Sequence, residues 1–276
     1  METRYAADPV RFKTMTTEEV RENFLIENLF KADEIVMVYS NVDRAIAGSA
    51  CPVSKALTLG TADELRADFF CQRRELGVLN IGQTGKVTVD GTEYEMANRD
   101  GLYVGMGAKE IRFESADSAT PAEFYLISYP AHQSYPTTHA RKADAAAVNL
   151  GSEAQSNKRT IFKYIHPEGI KSCQLVMGFT ELATGSVWNT MPAHTHARRM
   201  EVYLYFGMDE NDRVFHMMGE PTQTRHIVTA SKQAVISPSW SIHSGVGTGA
   251  YTFCWGMGGE NQTFDDMDAV GMDEIR

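Results

Sequence analysis

The sequence predicts an all-β protein made of two similar barrel-like units, and three observations carry that expectation. Short apolar or alternating runs recur between turn residues along most of the chain, helix signals are nearly confined to one place, and part of the first half returns in altered form in the second.

Taken in order, Thr16 with Glu19 three residues later makes a capping box, and Val20, Phe24, Leu25 and Leu29 form a helical stripe behind it. Lys86-Val87-Thr88-Val89 runs into Asp90-Gly91, a hairpin signal, and Thr92-Glu93-Tyr94-Glu95-Met96 alternates on the return. Leu102–Val104, Ile111–Phe113 and Phe124–Ile127 follow at the spacing of a sandwich or barrel. From Pro130 to Gly151 the pattern breaks into Pro, Thr, Lys, Asp and Ala, which reads as a linker and divides the chain into residues 1–140 and 141–276. Beyond it, Thr224–Thr229 reads as a strand. Gly245-Val246-Gly247-Thr248-Gly249 lacks the strand-to-helix context of a dinucleotide loop and reads as turn chemistry. Asp265-Asp266-Met267-Asp268 reads as a solvated acidic face, and Met217 and Met218 as core filling.

The repeat sets Arg73–Gly82 beside Arg198–Gly207, with the Glu displaced by one place, and Val104–Glu110 beside Ser237–His243. Phe69, Cys71 and Glu110 then stand where His194, His196 and His243 stand in the second copy. The first unit is expected to hold no metal.

Composition bounds the partners. With 26 basic and 36 acidic side chains among 276 residues the formal charge is −10, and no basic run offsets it, so nucleic acid is not an expected partner. Gln233–Gly259 carries no Asp, Glu, Lys or Arg, but its Ser, Pro and Gly residues suit strands and turns rather than a membrane span. The N-terminus has no basic start followed by an apolar core, and Cys51, Cys71, Cys173 and Cys254 show no CxxC pairing, so a cytoplasmic protein with reduced thiols is expected. The sequon at Asn261-Gln262-Thr263 is then a coincidence of letters.

The chemistry concentrates between His194 and His243, which hold five of the eight histidines. On a strand, His194 and His196 face the same way and can grip one metal ion. Glu201 has the opposite parity, so a turn or bulge within Ala197–Met200 is required to bring it to them. Glu201, Tyr203 and Tyr205 then share one face. Further on, Pro238-Ser239-Trp240-Ser241-Ile242-His243 offers another imidazole on a strand-like segment.

The HxHxxxxE run and the later PxxxxH resemble the two motifs of the cupin family, whose small barrel binds metal through three His and one Glu. Trp240 stands where that pattern has Gly. On this resemblance the chain is a bicupin, two β-barrel or jelly-roll units with a few short helices. Longer strings, among them Arg73–Gly82, Trp188–His196, Phe215–Gly219, Thr224–Val228, Gln233–Gly247 and Trp255–Met257, are similar to the 5-keto-4-deoxyuronate isomerase family from about Asn23 to Asp268. That resemblance implies a cytoplasmic step in pectin and uronate breakdown, the aldose-to-ketose conversion of 4-deoxy-L-threo-5-hexosulose uronate to 3-deoxy-D-glycero-2,5-hexodiulosonate. It also implies zinc on His194, His196, Glu201 and His243, and a hexamer.

The residue chemistry agrees, since three neutral imidazoles and one carboxylate leave a divalent ion one net positive charge with which to polarise a carbonyl. A base is harder to name: His226 on Thr224–Thr229 is a candidate, with His216 behind it, and Tyr203 or Tyr205 can hydrogen-bond substrate. An anionic sugar acid also needs a local cation, for which Arg198, Arg199, Arg225, Arg159 and Lys163 are candidates. Two competing readings remain at this stage, a metal-dependent cupin dioxygenase and a non-catalytic sugar-binding bicupin.

Overall fold

A computed structural model describes residues 1–276. One compact unit comprises Met1–Arg4, Asn28–Ala146 and Tyr164–Met177; the other comprises Tyr5–Glu27, Ala147–Lys163 and Gly178–Arg276. Neither unit is a single stretch of chain.

In the first unit, a seven-stranded sheet runs in the order Glu2–Arg4, Ile35–Ser40, Ile46–Ala50, Phe124–Pro130, Arg74–Asn80, Gly101–Val104, Thr138–Ala140. A four-stranded sheet, Leu57–Thr58, Ile111–Ser115, Gly85–Val89, Thr92–Met96, completes it. Inward side chains of the two sheets, including Leu76, Val78, Val87, Leu102, Phe113, Phe124 and Leu126, form one buried apolar cluster. The hairpin turns at Asp90-Gly91 as its residues demand, both with positive φ. Glu75, on the strand Arg74–Asn80, is fully buried. Its carboxylate accepts hydrogen bonds from Tyr103 Oη (2.8 Å) and from the backbone N–H groups of Cys173, Gln174 and Leu175 (2.6, 2.7 and 2.6 Å).

Sheets of the same size recur, built mostly from the second half of the chain. The seven-stranded order is Ala146–Leu150, Arg159–Ile165, Val176–Leu182, Thr252–Gly259, Arg199–Phe206, Gln233–Ser237, Leu25–Ile26, and the four-stranded one is Trp188–Asn189, Ser244–Gly247, Val214–Met218, Arg225–Thr229. The repeat read from the sequence therefore joins topologically matching strands. Arg74 pairs with Pro130 as Arg199 pairs with Gly259, and Leu76 with Val104 as Glu201 with Ser237.

The capping box at Thr16 is complete: its hydroxyl accepts from Glu19 N at 3.2 Å and its N–H donates to Glu19 Oε2 at 2.7 Å. The helix ends at Phe24, however. Leu25, expected on its stripe, passes into the edge strand Leu25–Ile26 and pairs with Val235. Trp240, the departure from the Pro-anchored motif, packs between Phe12 and Phe24 at ring distances of 5.3 and 6.3 Å and so fastens both N-terminal helices, Pro9–Phe12 and Thr17–Phe24, to the second unit.

Three local expectations are corrected. Pro130–Gly151 is not simply a linker, because it contributes the edge strands Thr138–Ala140 and Ala146–Leu150; strands at a sheet edge need no alternating apolar pattern to be recognised by. Gly245 and Gly247 lie in the strand Ser244–Gly247, where a Cβ on Gly245 would sit 2.9 Å from Asn189 Nδ2. The acidic stretch 265–268 is not merely solvated: Asp266 takes two hydrogen bonds of 2.8 Å from Arg198 Nε, and Asp268 one of 3.1 Å from Nη2.

A candidate metal centre in the second unit

His194 and His196 lie at the end of a loop that forms the short strand His194–Thr195, and the chain turns at Ala197–Arg198 before entering the long strand Arg199–Phe206. That turn lets Glu201 face the two imidazoles despite its parity. His243 stands just before the strand Ser244–Gly247 rather than on a strand, after a tight turn closed by Ser241 N–H on Pro238 O at 2.9 Å. The four side chains converge. Ring centroids lie 4.5 Å apart for His194–His243, 4.7 Å for His196–His243 and 5.4 Å for His194–His196. His243 Nε2 is 2.9 Å from His194 Nε2 and 3.2 Å from Glu201 Oε2, and His196 Nε2 is 3.6 Å from Glu201 Oε1.

The donor set fits a cation. Carbonyl oxygens of Arg199 (3.0 Å) and Ser241 (3.4 Å) face Nδ1 of His196 and His243, so Nδ1 carries the proton and Nε2 presents a lone pair inward. His196 Nε2 and Glu201 Oε2 are buried with no hydrogen-bond partner, an arrangement that a protein avoids unless something else fills the space. The His194, His196 and His243 group can therefore hold a metal ion. Burial lowers His194 and takes His243 down to about 3. Burial acts against the Glu201 carboxylate too, yet the imidazoles of His243, His196 and His194 outweigh it and hold Glu201 well below the ordinary range. His196 alone is raised: burial opposes its charged form, but the negative charge of Glu201 and the Arg199 carbonyl outweigh it.

His194, Glu201 and Tyr203 line a cavity of about 270 Å³ together with Arg159, Thr180 and Thr190 and an apolar wall including Leu150, Ile161, Met191, Pro192, Phe253, Trp255, Met257, Phe264 and Met267. Tyr203 Oη lies 3.2 Å from Thr190 Oγ1, and burial pushes its phenol well above the usual value, so it keeps its proton. Arg159 is the guanidinium of the lining; its Nη1 donates to Asn157 O at 2.8 Å.

The remaining sequence candidates lie elsewhere. His226 is exposed on the outer face of Arg225–Thr229, 5.6 Å from the Phe215 ring, because Ile227 and Thr229 take the inward positions. His216 is the histidine that faces inward, its Nδ1 2.7 Å from Tyr205 Oη and its Nε2 3.2 Å from Ser237 Oγ. Arg198 is held by Asp266 and Asp268; Arg199, fully buried, donates to Thr263 O and Asp266 O; Arg225 donates to Met15 O and Lys13 O and covers the Phe12 ring; Lys163 Nζ stands 5.0 Å over Phe264. None of these four lines the cavity. Thr190, Thr180 and Trp255 escaped the sequence reading, although Thr190 lies in the Trp188–His196 run and Trp255 in Trp255–Met257, both noted there only as resemblance.

Doubled seven- and four-stranded sheets with a three-histidine group in the second barrel define a two-unit cupin. The chain belongs to the KduI/IolB family, whose model matches residues 24–272. It is 60% identical over 276 residues, the full length of both chains, to 4-deoxy-L-threo-5-hexosulose-uronate ketol-isomerase of Lachnoclostridium phytofermentans. The proteins of the same name from Caldicellulosiruptor bescii and Escherichia coli are each 55% identical, again over the full length of both chains. Among solved structures, an IolB-like protein from Salmonella typhimurium superposes with a TM-score of 0.73 at 12% identity, covering 90% of this chain and 97% of that one. Oxalate decarboxylase of Lactobacillus farciminis superposes at 0.58 and 9% identity, covering 90% of each chain, a likeness of fold alone.

Proposed function

We propose that the protein is a ketol-isomerase that converts 4-deoxy-L-threo-5-hexosulose uronate to 3-deoxy-D-glycero-2,5-hexodiulosonate, using zinc held by His194, His196, Glu201 and His243. The single observation that carries this beyond family likeness is one cavity in which a guanidinium, a protonated phenol and the ligand group meet. The reaction moves the hydrogen of the carbon beside the aldehyde to the aldehyde carbon, as a proton through an enediol or directly as a hydride, with the hydroxyl proton relocating between the two oxygens. The bound ion would supply a Lewis acid that favours negative charge on those oxygens.

The chain's own residues do the rest. Arg159 receives the substrate carboxylate with a planar pair of N–H groups, a local cation for an anion in a protein of charge −10. Tyr203, holding its proton, donates to a substrate oxygen and is itself oriented by Thr190. The apolar wall from Phe253, Trp255 and Met257 limits water, which strengthens each of these contacts. The volume suits one small sugar acid, near the lower bound of about 300–1,000 Å³ for ligand pockets. The reading includes a cytoplasmic role in pectin-derived uronate breakdown, a hexameric assembly, and a first unit without metal, in which Phe69, Cys71 and Glu110 replace the three histidines.

An NMR time course with the unsaturated-uronate breakdown product tests the proposal. The aldehyde signal should vanish as the 2-keto product appears, without oxygen uptake. Unchanged substrate with metal-loaded protein, or oxygen consumption dependent on substrate, defeats it.

A further inference from the structure

The first unit contains a cavity of about 430 Å³ at the start of the strand Arg74–Asn80, lined by Arg44, Arg73, Arg74 and His132 among others. None of the three guanidiniums pairs with a carboxylate. Arg44 donates to Asn41 O, Arg73 to Leu65 O and Arg66 O, and Arg74 to Ser128 Oγ, Ser128 O and Arg44 O. Glu64, the acid in the lining, takes the N-terminal ammonium at 3.3 Å.

On the duplicated strand the arginine at the place of Arg73 binds carboxylates, while its neighbour binds backbone carbonyls. Arg73 and Arg74 correspond to Arg198 and Arg199, since Arg74 pairs with Pro130 as Arg199 does with Gly259. After Gly259 the chain supplies carboxylates, and Asp266 and Asp268 grip Arg198. After Pro130, the residues from Ala131 to Ala143 include no Asp or Glu, so this copy leaves Arg73 without the internal anion that Arg198 has. Arg74 is nearly buried, and desolvation draws it down to about 10 with only Tyr39, Cys71 and Tyr129 acting against it, a burial that an incoming anion would relieve.

We propose that this cavity is a second binding site, for the carboxylate of a small sugar acid, with Arg73 and Arg44 as the receiving cations and Arg74 behind them. The planar fork of arginine matches a carboxylate, as Arg198 does for Asp266. The choice of a sugar acid rests on the isomerase reading; the carboxylate site itself uses no residue of the metal cavity, so it can fail without that reading failing.

Calorimetric titration of metal-loaded Arg159→Ala protein with D-galacturonate, with D-galactose as the uncharged control, tests it, the substitution having weakened the other cavity for anions. One galacturonate should bind per chain while galactose does not. In R44A/R73A/R159A the affinity should fall roughly tenfold or more, the loss of one charge-assisted bidentate contact. Arg44 and Arg73 are exposed, so the fold should persist, which a thermal melt verifies. Equal binding of galactose, an unchanged affinity in the triple variant, or no heat at all overturns the proposal. So does loss of oligomer on adding R44A/R73A without any galacturonate binding, which would give the pair to a carboxylate of a second copy.

Discussion

At the scale of single residues, the outcome turns on which atoms lack partners. Removing one imidazole from the ligand group leaves Glu201 buried against fewer neutralising groups, so His243→Ala should lose bound metal and at least about a hundredfold in kcat/KM, measured by metal analysis of the purified variant beside its kinetics. Arg159→Ala should instead raise KM about tenfold or more while metal content stays full, because a carboxylate contact is lost and no ligand is. A KM that does not move would remove Arg159 from the substrate. The convergence of His194, His196 and Glu201 was legible in the HxHxxxxE spacing, since period-two geometry demanded a turn such as the one at Ala197–Arg198. Which of the arginines lines the cavity was not legible. Whether a guanidinium meets a cavity, an aspartate or a row of carbonyls depends on contacts as distant in sequence as Arg198 to Asp266.

For individual elements, strand phase decides more than composition. Along Val214–Met218 the inward residues are Val214, His216 and Met218, whereas along Arg225–Thr229 they exclude His226, and nothing within either five-residue run announces its phase. The buried His216 has a consequence for pH. Its pKa is drawn down to about 3 by burial, while the unfolded chain takes its proton near the ordinary 6.5. As pH falls below that ordinary value the unfolded state binds the proton first, so stability drops until about pH 3, where the folded state binds it as well. Denaturant unfolding across this range should show a shallower decline for His216→Gln than for the parent protein. On the helix Thr17–Phe24, Thr16→Ala should cost about 1 kcal/mol through the lost cap, read from the same unfolding curves. This helix was visible from its capping box, but its end was not, because Leu25 continues the apolar stripe while its backbone joins a sheet.

The whole molecule shows what duplication preserves. Strand order and register repeat between the units, and the faint likeness of Arg73–Gly82 to Arg198–Gly207 marked the pair of matching central strands. A division into two consecutive halves could not show that Tyr5–Glu27 packs with the later unit, because that assignment rests on Phe12 and Phe24 meeting Trp240, over two hundred residues on. Trp240→Ala should therefore loosen the N-terminal helices, costing about 3 kcal/mol and exposing their amides to hydrogen exchange before the strands open.

The displaced glutamate of the first copy sets a rule for anyone rebuilding this protein. Glu75 is one residue short of the place held by Glu201, and a step of one along a strand turns a side chain to the opposite face. There it has become a staple for the loop Cys173–Leu175, and mutating it to gain a ligand would only free those amides. An engineer wanting a metal site in the first unit would leave Glu75 alone and write the new carboxylate at Leu76, with imidazoles at Phe69, Cys71 and Glu110. The two copies share one strand frame, and what separates the first from the second at these places is four side chains.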